Sequence, residues 1–126
     1  MKKVAYISGK ITGVKNGNTA KFAAAANLLR EHGHTPINPH DVCSDVHPEA
    51  SWETFMKRNI RELVRCDFVA VLDDWHKSRG AQMEVEIAVN LGIPVIAIED
   101  IAQMTPMDFG VKTFTTYKGA ILNTRV

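Results

Sequence analysis

At 126 residues and a formal charge of +1, the chain has the length for one domain around a single core. No charge excess directs it to a nucleic-acid polymer or a membrane surface. No apolar run approaches the ~20 residues of a membrane span, and Met1-Lys2-Lys3 leads into an apolar segment rather than a secretory leader.

Val4 to Ser8 is a short apolar run that reads as a buried strand, ended by Gly9. A polar, glycine-bearing loop follows to Asn18. Thr19 is expected to cap a helix to about Glu31, with Phe22, Ala25, Ala26 and Leu29 as its buried stripe and Gly33 as its stop. Thr35 to Asn38 is a second strand, and Pro39 to Ala50 a loop carrying His40, Asp41, Asp45 and His47. Ser51 caps a helix to Arg65, with Trp52, Phe55, Met56, Ile60, Leu63 and Val64 on one face. Phe68 to Leu72 is strand three, Ala81 to Leu91 a third helix, and Ile93 to Ile98 strand four. Beyond Asp100, Ile101 to Met107 reads as a short helical turn, and Val111 to Val126 as an edge strand or hairpin. Strands alternating with helices of this length imply right-handed βαβ units. The expected fold is therefore an α/β three-layer sandwich, flavodoxin-like or Rossmann-like, with a doubly wound, mainly parallel sheet of four to five strands.

Glu84 is the most informative residue. Ala81, Val85, Ala88 and Leu91 make the inward stripe of the third helix, and Glu84 falls within it while Glu86 points away. A carboxylate facing a sheet needs a partner or a task, and the carboxyl ends of strands are where open α/β sheets keep their ligand sites. Asn59 is a second polar residue inside an apolar stripe, read either as a satisfied core amide or as part of the same pocket. The loop Ser8-Gly9-Lys10-Ile11-Thr12-Gly13 is neither a Walker loop nor Gly-x-Gly-x-x-Gly. It is a turn, or a backbone surface with Lys10 available to a phosphate. Asp73 and Asp74 end strand three as an acid, a hydroxyl acceptor or turn residues, and Trp75 either stacks on a base or covers the strand end. The five histidines lack the tight spacing of a zinc site, so no metal and no cofactor is expected. Cys43 and Cys66 match neither a zinc nor a redox pattern and read as buried or idle thiols in a reducing cytoplasm.

In order along the chain, Tyr6-Ile7-Ser8-Gly9-Lys10-Ile11-Thr12-Gly13, Asn38-Pro39, the helix from Ser51, Cys66-Asp67, and Trp75 through Ser78-x-Gly80-x-x-x-Glu84-x-x-x-Ala88 resemble the nucleoside 2-deoxyribosyltransferase superfamily. The likeness covers about residues 3 to 98. It is greatest to a bacterial and phage branch related to the 2-deoxynucleoside 5-monophosphate N-glycosidases. The resemblance implies that Glu84 is a nucleophile forming a covalent glycosyl-enzyme, with an oxocarbenium-like transition state beside it. The amino end of its helix would help keep it ionised. It implies that Ser78 contacts a 5-phosphate, with residues 9 to 13 near the sugar, phosphate or base, and that Asp73, Trp75 and Gly80 belong to the substrate site. It implies a homo-oligomer, for which the apolar Phe109, Phe114 and Ile121 are candidate contacts.

One position departs from the superfamily. Asn59 stands where an aspartate usually holds or protonates the leaving base, and an amide is no general acid. Either Asp73, Asp74 or His40 supplies the proton, or the substrate leaves easily, or turnover has been lost. Three functions follow: cleavage or transfer of the N-glycosidic bond of a (deoxy)nucleotide or nucleoside; a non-catalytic module binding a nucleotide or NAD-derived ligand; and an NAD glycohydrolase.

Overall fold

A computed structural model describes residues 2–103, 114–117 and 120–123. Its main sheet has four parallel strands in the order β2 (Thr35–Ile37), β1 (Val4–Ser8), β3 (Phe68–Val71), β4 (Val95–Ala97). The helices are α1 (Thr19–Glu31), a one-turn α2 (Pro39–Val42), α3 (Trp52–Leu63) and α4 (Arg79–Asn90). An antiparallel hairpin, β5 (Phe114–Tyr117) with β6 (Ala120–Asn123), pairs Phe114 with Asn123 and Tyr117 with Ala120. The hairpin reading of the tail agrees with this pairing. Met107, Phe109 and Val111 lie outside the described residues, as do the side chains of Phe114 and Ile121.

Strand pleating sorts the core into two layers. Ala5, Ile7, Phe68, Ala70 and Ile96 face α1, where Phe22, Ala25, Ala26 and Leu29 form the buried stripe that the sequence implies. Tyr6, Val69, Val71, Val95 and Ala97 face the other way, against Leu63 of α3 and Ala81, Val85 and Ala88 of α4. Phe22 and Leu29 are fully buried, each worth about 1.5–3 kcal/mol relative to exposure. With helices on both faces of a parallel sheet, this is the expected doubly wound three-layer α/β fold.

The chain leaves β1 for β2 on one side and returns to β3 on the other, so the strand order reverses between β1 and β3. Their carboxyl ends form a crevice there. Gly9 closes β1 so near β3 that a Cβ would lie 2.9 Å from the Leu72 Cβ, a contact only glycine avoids.

Several details differ from the sequence expectations. Asn18, at φ 65°, takes the N-cap position of α1, and Thr19 is its first residue, with no side-chain cap bond. The stretch after Pro39 is helical because Asn38 accepts from the His40 amide and Pro39 starts the turn. Ser51 does cap α3, accepting from Thr54 N at 3.2 Å, but α3 ends at Leu63 and Val64 is 44% exposed. α4 begins at Arg79 and ends at Asn90, so Leu91 falls at the C-cap, 59% exposed, before the left-handed Gly92. The turn expected near Ile101 is a 3-10 segment over Ile98–Gln103. Among the described residues no helix is long and apolar enough to cross a membrane.

Candidate functional site

The crevice holds a cavity of about 700 Å³, large enough for a nucleotide-sized ligand. Glu84 is at its wall, 4% exposed. Tyr6 donates its hydroxyl to Oε2 at 2.7 Å, and Ser8 donates to Oε1 at 2.7 Å. Both donors come from β1, on the pleat that faces α3 and α4. Each carboxylate oxygen thus receives one hydrogen bond and keeps lone-pair capacity free.

Burial pushes the Glu84 carboxyl from 4.5 up to about 7, against the Ser8 and Tyr6 hydrogen bonds, which favour the charged form. Burial, then the neighbouring Glu84 charge, holds the Tyr6 phenol well above its usual value, so it remains a donor. This corrects the role expected of the helix end. Glu84 is the sixth residue of α4, past the first turn where the dipole acts, and the two hydroxyls are what support its charge. Tyr6→Phe or Ser8→Ala is therefore expected to raise the Glu84 pKa. In any Glu84-dependent turnover the acid limb of the pH–rate profile would move to higher pH, with about a ten- to hundred-fold loss near pH 6. An unmoved limb would remove the hydroxyls from this role.

Lys10, Lys77 and Arg79 add positive charge to the lining, and Lys77 and Arg79 are exposed. The cationic side of the cavity is thus the solvent-facing one, while Glu84 and Asn59 occupy the buried side. Ser78 is the N-cap of α4, accepting from Ala81 N at 3.1 Å, and its own hydroxyl proton is left to donate. The amides of Arg79 and Gly80 belong to the first turn of α4, where no intrahelical carbonyl can reach them. Gly80 admits α3 closely, because a Cβ there would meet the Met56 sulfur at 3.1 Å. The Arg79 guanidinium lies 3.7 Å over the Trp52 ring, an arrangement that fixes a long side chain at the cavity.

Of the residues proposed from sequence, Gly9, Lys10, Ile11, Thr12, Asn59, Ser78, Gly80 and Glu84 line one cavity. Ser8 stands behind Glu84 as its hydrogen-bond donor. Gly13 is exposed and outside the lining. Trp75 is 9% exposed and packs with the core facing α4, so it covers the strand end rather than lining the cavity. Asp73 is ion-paired with Lys21, away from the cavity wall.

Asp74 shares Lys21, at 3.3 Å, and has a further task. Its Oδ1 accepts from the Lys10 amide at 3.0 Å and its Oδ2 from Asn18 Nδ2 at 2.9 Å, which pins the loop after β1. Neither aspartate reaches the cavity as a proton donor. His40 does line it, with Nε2 donating to the Gly17 carbonyl at 2.9 Å and Nδ1 left over.

Sequence reading left Tyr6 as a strand residue, although its place two residues before Ser8 puts it on the same pleat. Cys43 is not idle: it lines the cavity and its thiol lies 3.3 Å from Asn59 Oδ1. Cys66 fits the plain reading, buried with its thiol pushed up to about 12 by burial and the Asp67 charge. His34 packs edge-on against Phe68 and is 7% exposed. No group of three or more His, Cys, Asp or Glu able to hold a metal occurs among the described residues.

Among solved structures, the chain is similar to a 2-deoxyribosyltransferase from Bacillus psychrosaccharolyticus, at 19% identity and a TM-score of 0.60 over 75% of this chain and 70% of that one. A conserved protein from Enterococcus faecalis matches at 17% identity and a TM-score of 0.62, over 77% of this chain and 63% of the other. A 2-desoxiribosyltransferase from Leishmania mexicana matches at 17% identity and a TM-score of 0.57, over 96% and 79%. At these identities what is shared is the fold. No curated protein matches the chain. The family model described as "Domain of unknown function (DUF4406)" matches residues 3–97, the whole of the sheet and the cavity between β1 and β3, and the chain belongs to that family.

Proposed function

We propose that the protein cleaves or transfers the N-glycosidic bond of a (deoxy)nucleotide, with Glu84 as the nucleophile. The observation that carries this reading is a buried carboxylate at a nucleotide-sized cavity, held by two hydroxyls and free on its remaining lone pairs. Glu84 attacks the anomeric carbon as the base departs, and the negative carboxylate stabilises the oxocarbenium-like transition state before bonding to it. Water or a second base then resolves the glycosyl ester. A carboxyl raised to about 7 is substantially ionised for attack at neutral pH and still a weak enough base to depart as the ester breaks.

Lys10, Lys77, Arg79, the Ser78 hydroxyl and the first-turn amides of α4 support a phosphorylated substrate over a free nucleoside. That the Bacillus and Leishmania proteins are 2-deoxyribosyltransferases agrees with this reading at the level of a shared fold. Incubation with a panel of deoxynucleoside monophosphates followed by rapid acid quench and intact-mass measurement tests it. A deoxyribose-phosphate adduct that peptide mapping assigns to Glu84 is the expected result. Release of free base with no adduct, and with Glu84 dispensable, would overturn it.

A further inference from the structure

Asn59 and Cys43 form a pair that the reaction above does not use. Asn59 lies on α3, 6% exposed, with its amide at the cavity wall. Cys43 ends α2 and donates its thiol to Asn59 Oδ1 at 3.3 Å; the Phe55 carbonyl is a more distant alternative at 3.9 Å. The oxygen of the amide is thereby engaged. Its nitrogen makes no hydrogen bond to any described residue, leaving two N–H donors beside the open cavity.

We propose that Cys43 orients Asn59 so that its amide N–H groups recognise a carbonyl oxygen adjoining the glycosidic nitrogen of the leaving base. The substrate class is a pyrimidine nucleotide whose base departs as an anion rather than being protonated by this residue. The proposal rests on the N-glycosidase reading and specifies its leaving group. In the step, a Glu84 oxygen donates an electron pair to the anomeric carbon as the C–N bond breaks. The bond pair passes to the base nitrogen and delocalises onto the adjoining carbonyl oxygen. Asn59 hydrogen-bonds that oxygen more strongly as its charge grows. The free base anion takes its proton from water, and a water molecule later hydrolyses the glycosyl ester and restores the carboxyl group.

An amide cannot protonate adenine, which has no such oxygen, so the geometry discriminates between bases. Burial keeps the Cys43 thiol protonated, above its ordinary range, and so able to act as the donor. Cys43 is in this sense a positioning residue. Were the amide reversed, its oxygen would face the cavity and favour a base amino group.

The test compares base release from dUMP and dAMP by wild type, Asn59→Asp, Cys43→Ala and Cys43→Ser, with thermal melts to verify folding. Wild type is expected to release uracil with a kcat at least about tenfold above that for adenine. Asn59→Asp should shift that ratio toward adenine. Cys43→Ala should lower kcat/KM on dUMP about tenfold, through weaker binding as well as slower turnover, and Cys43→Ser should restore most of it. Preference for adenine in wild type, or equal kinetics for the Ala and Ser variants at position 43, would overturn the proposal.

Binding of dUMP and dAMP to folded Glu84→Gln protein separates the two levels. Base-selective binding that Cys43→Ala weakens and Cys43→Ser restores, with no release by wild type from any nucleotide, supports donor recognition and overturns the glycosidase reading. Unselective binding there overturns the donor recognition, whatever the turnover.

Discussion

Glu84→Gln is expected to abolish release of free base from nucleotides, with a loss of at least about 10⁴-fold in kcat. The amide keeps the size of the side chain and can bond both hydroxyls, accepting from one and donating to the other, so the cavity should keep its shape and its affinity for nucleotide. What disappears is the negative charge beside the anomeric carbon and the lone pair that forms the ester. The measurement is base release by chromatography together with nucleotide Kd by calorimetry. A variant that binds normally and does not turn over agrees with a nucleophile. Undiminished release would remove Glu84 from the chemistry, whatever its burial.

The same substitution is expected to stabilise the fold, but only in one range of pH. The carboxyl titrates near 4.5 when unfolded and near 7 when folded. Below about pH 4.5 both states carry the proton and burial has no ionisation cost. Between the two values the native state holds a proton that the unfolded state has released, so stability falls as pH rises. Above about 7 the cost is fully developed, on the order of 3 kcal/mol at the upper limit. Glutamine resembles the protonated acid at every pH. Glu84→Gln should therefore match wild type near pH 4 and exceed it near pH 8 by up to about 10 °C in Tm. Equal differences at both pH values would show that the carboxyl is not held in a desolvated site.

Much of this site can be read from positions within single elements. Glu84 belongs to the buried stripe of α4 because helical spacing places it with Ala81, Val85 and Ala88, and all four are buried. Asn59 follows the same logic in α3 with Met56 and Leu63. Loop chemistry was less legible. Asp73 and Asp74 are adjacent, identical in type and both paired with Lys21, yet Asp74 also fastens the loop at Lys10 and Asn18. Nothing in their local sequence distinguishes them, because their partners lie more than 50 residues away in the chain. Leu91 was misplaced for a simpler reason: periodicity continues past the residue at which Gly92 ends the helix.

The sequence by itself determined the alternation of strands and helices, the parallel sheet that this alternation requires, and the two polar residues on inward faces. These follow from local periodicity and from capping, which act over a few residues. Only the tertiary structure decided that Tyr6 and Ser8 meet Glu84, that Cys43 engages Asn59, and that Lys77 and Arg79 share a cavity with Lys10. Periodicity assigns a residue to a face, but strand order and the closeness of β1 to β3 select which polar atoms on facing elements come within hydrogen-bonding reach.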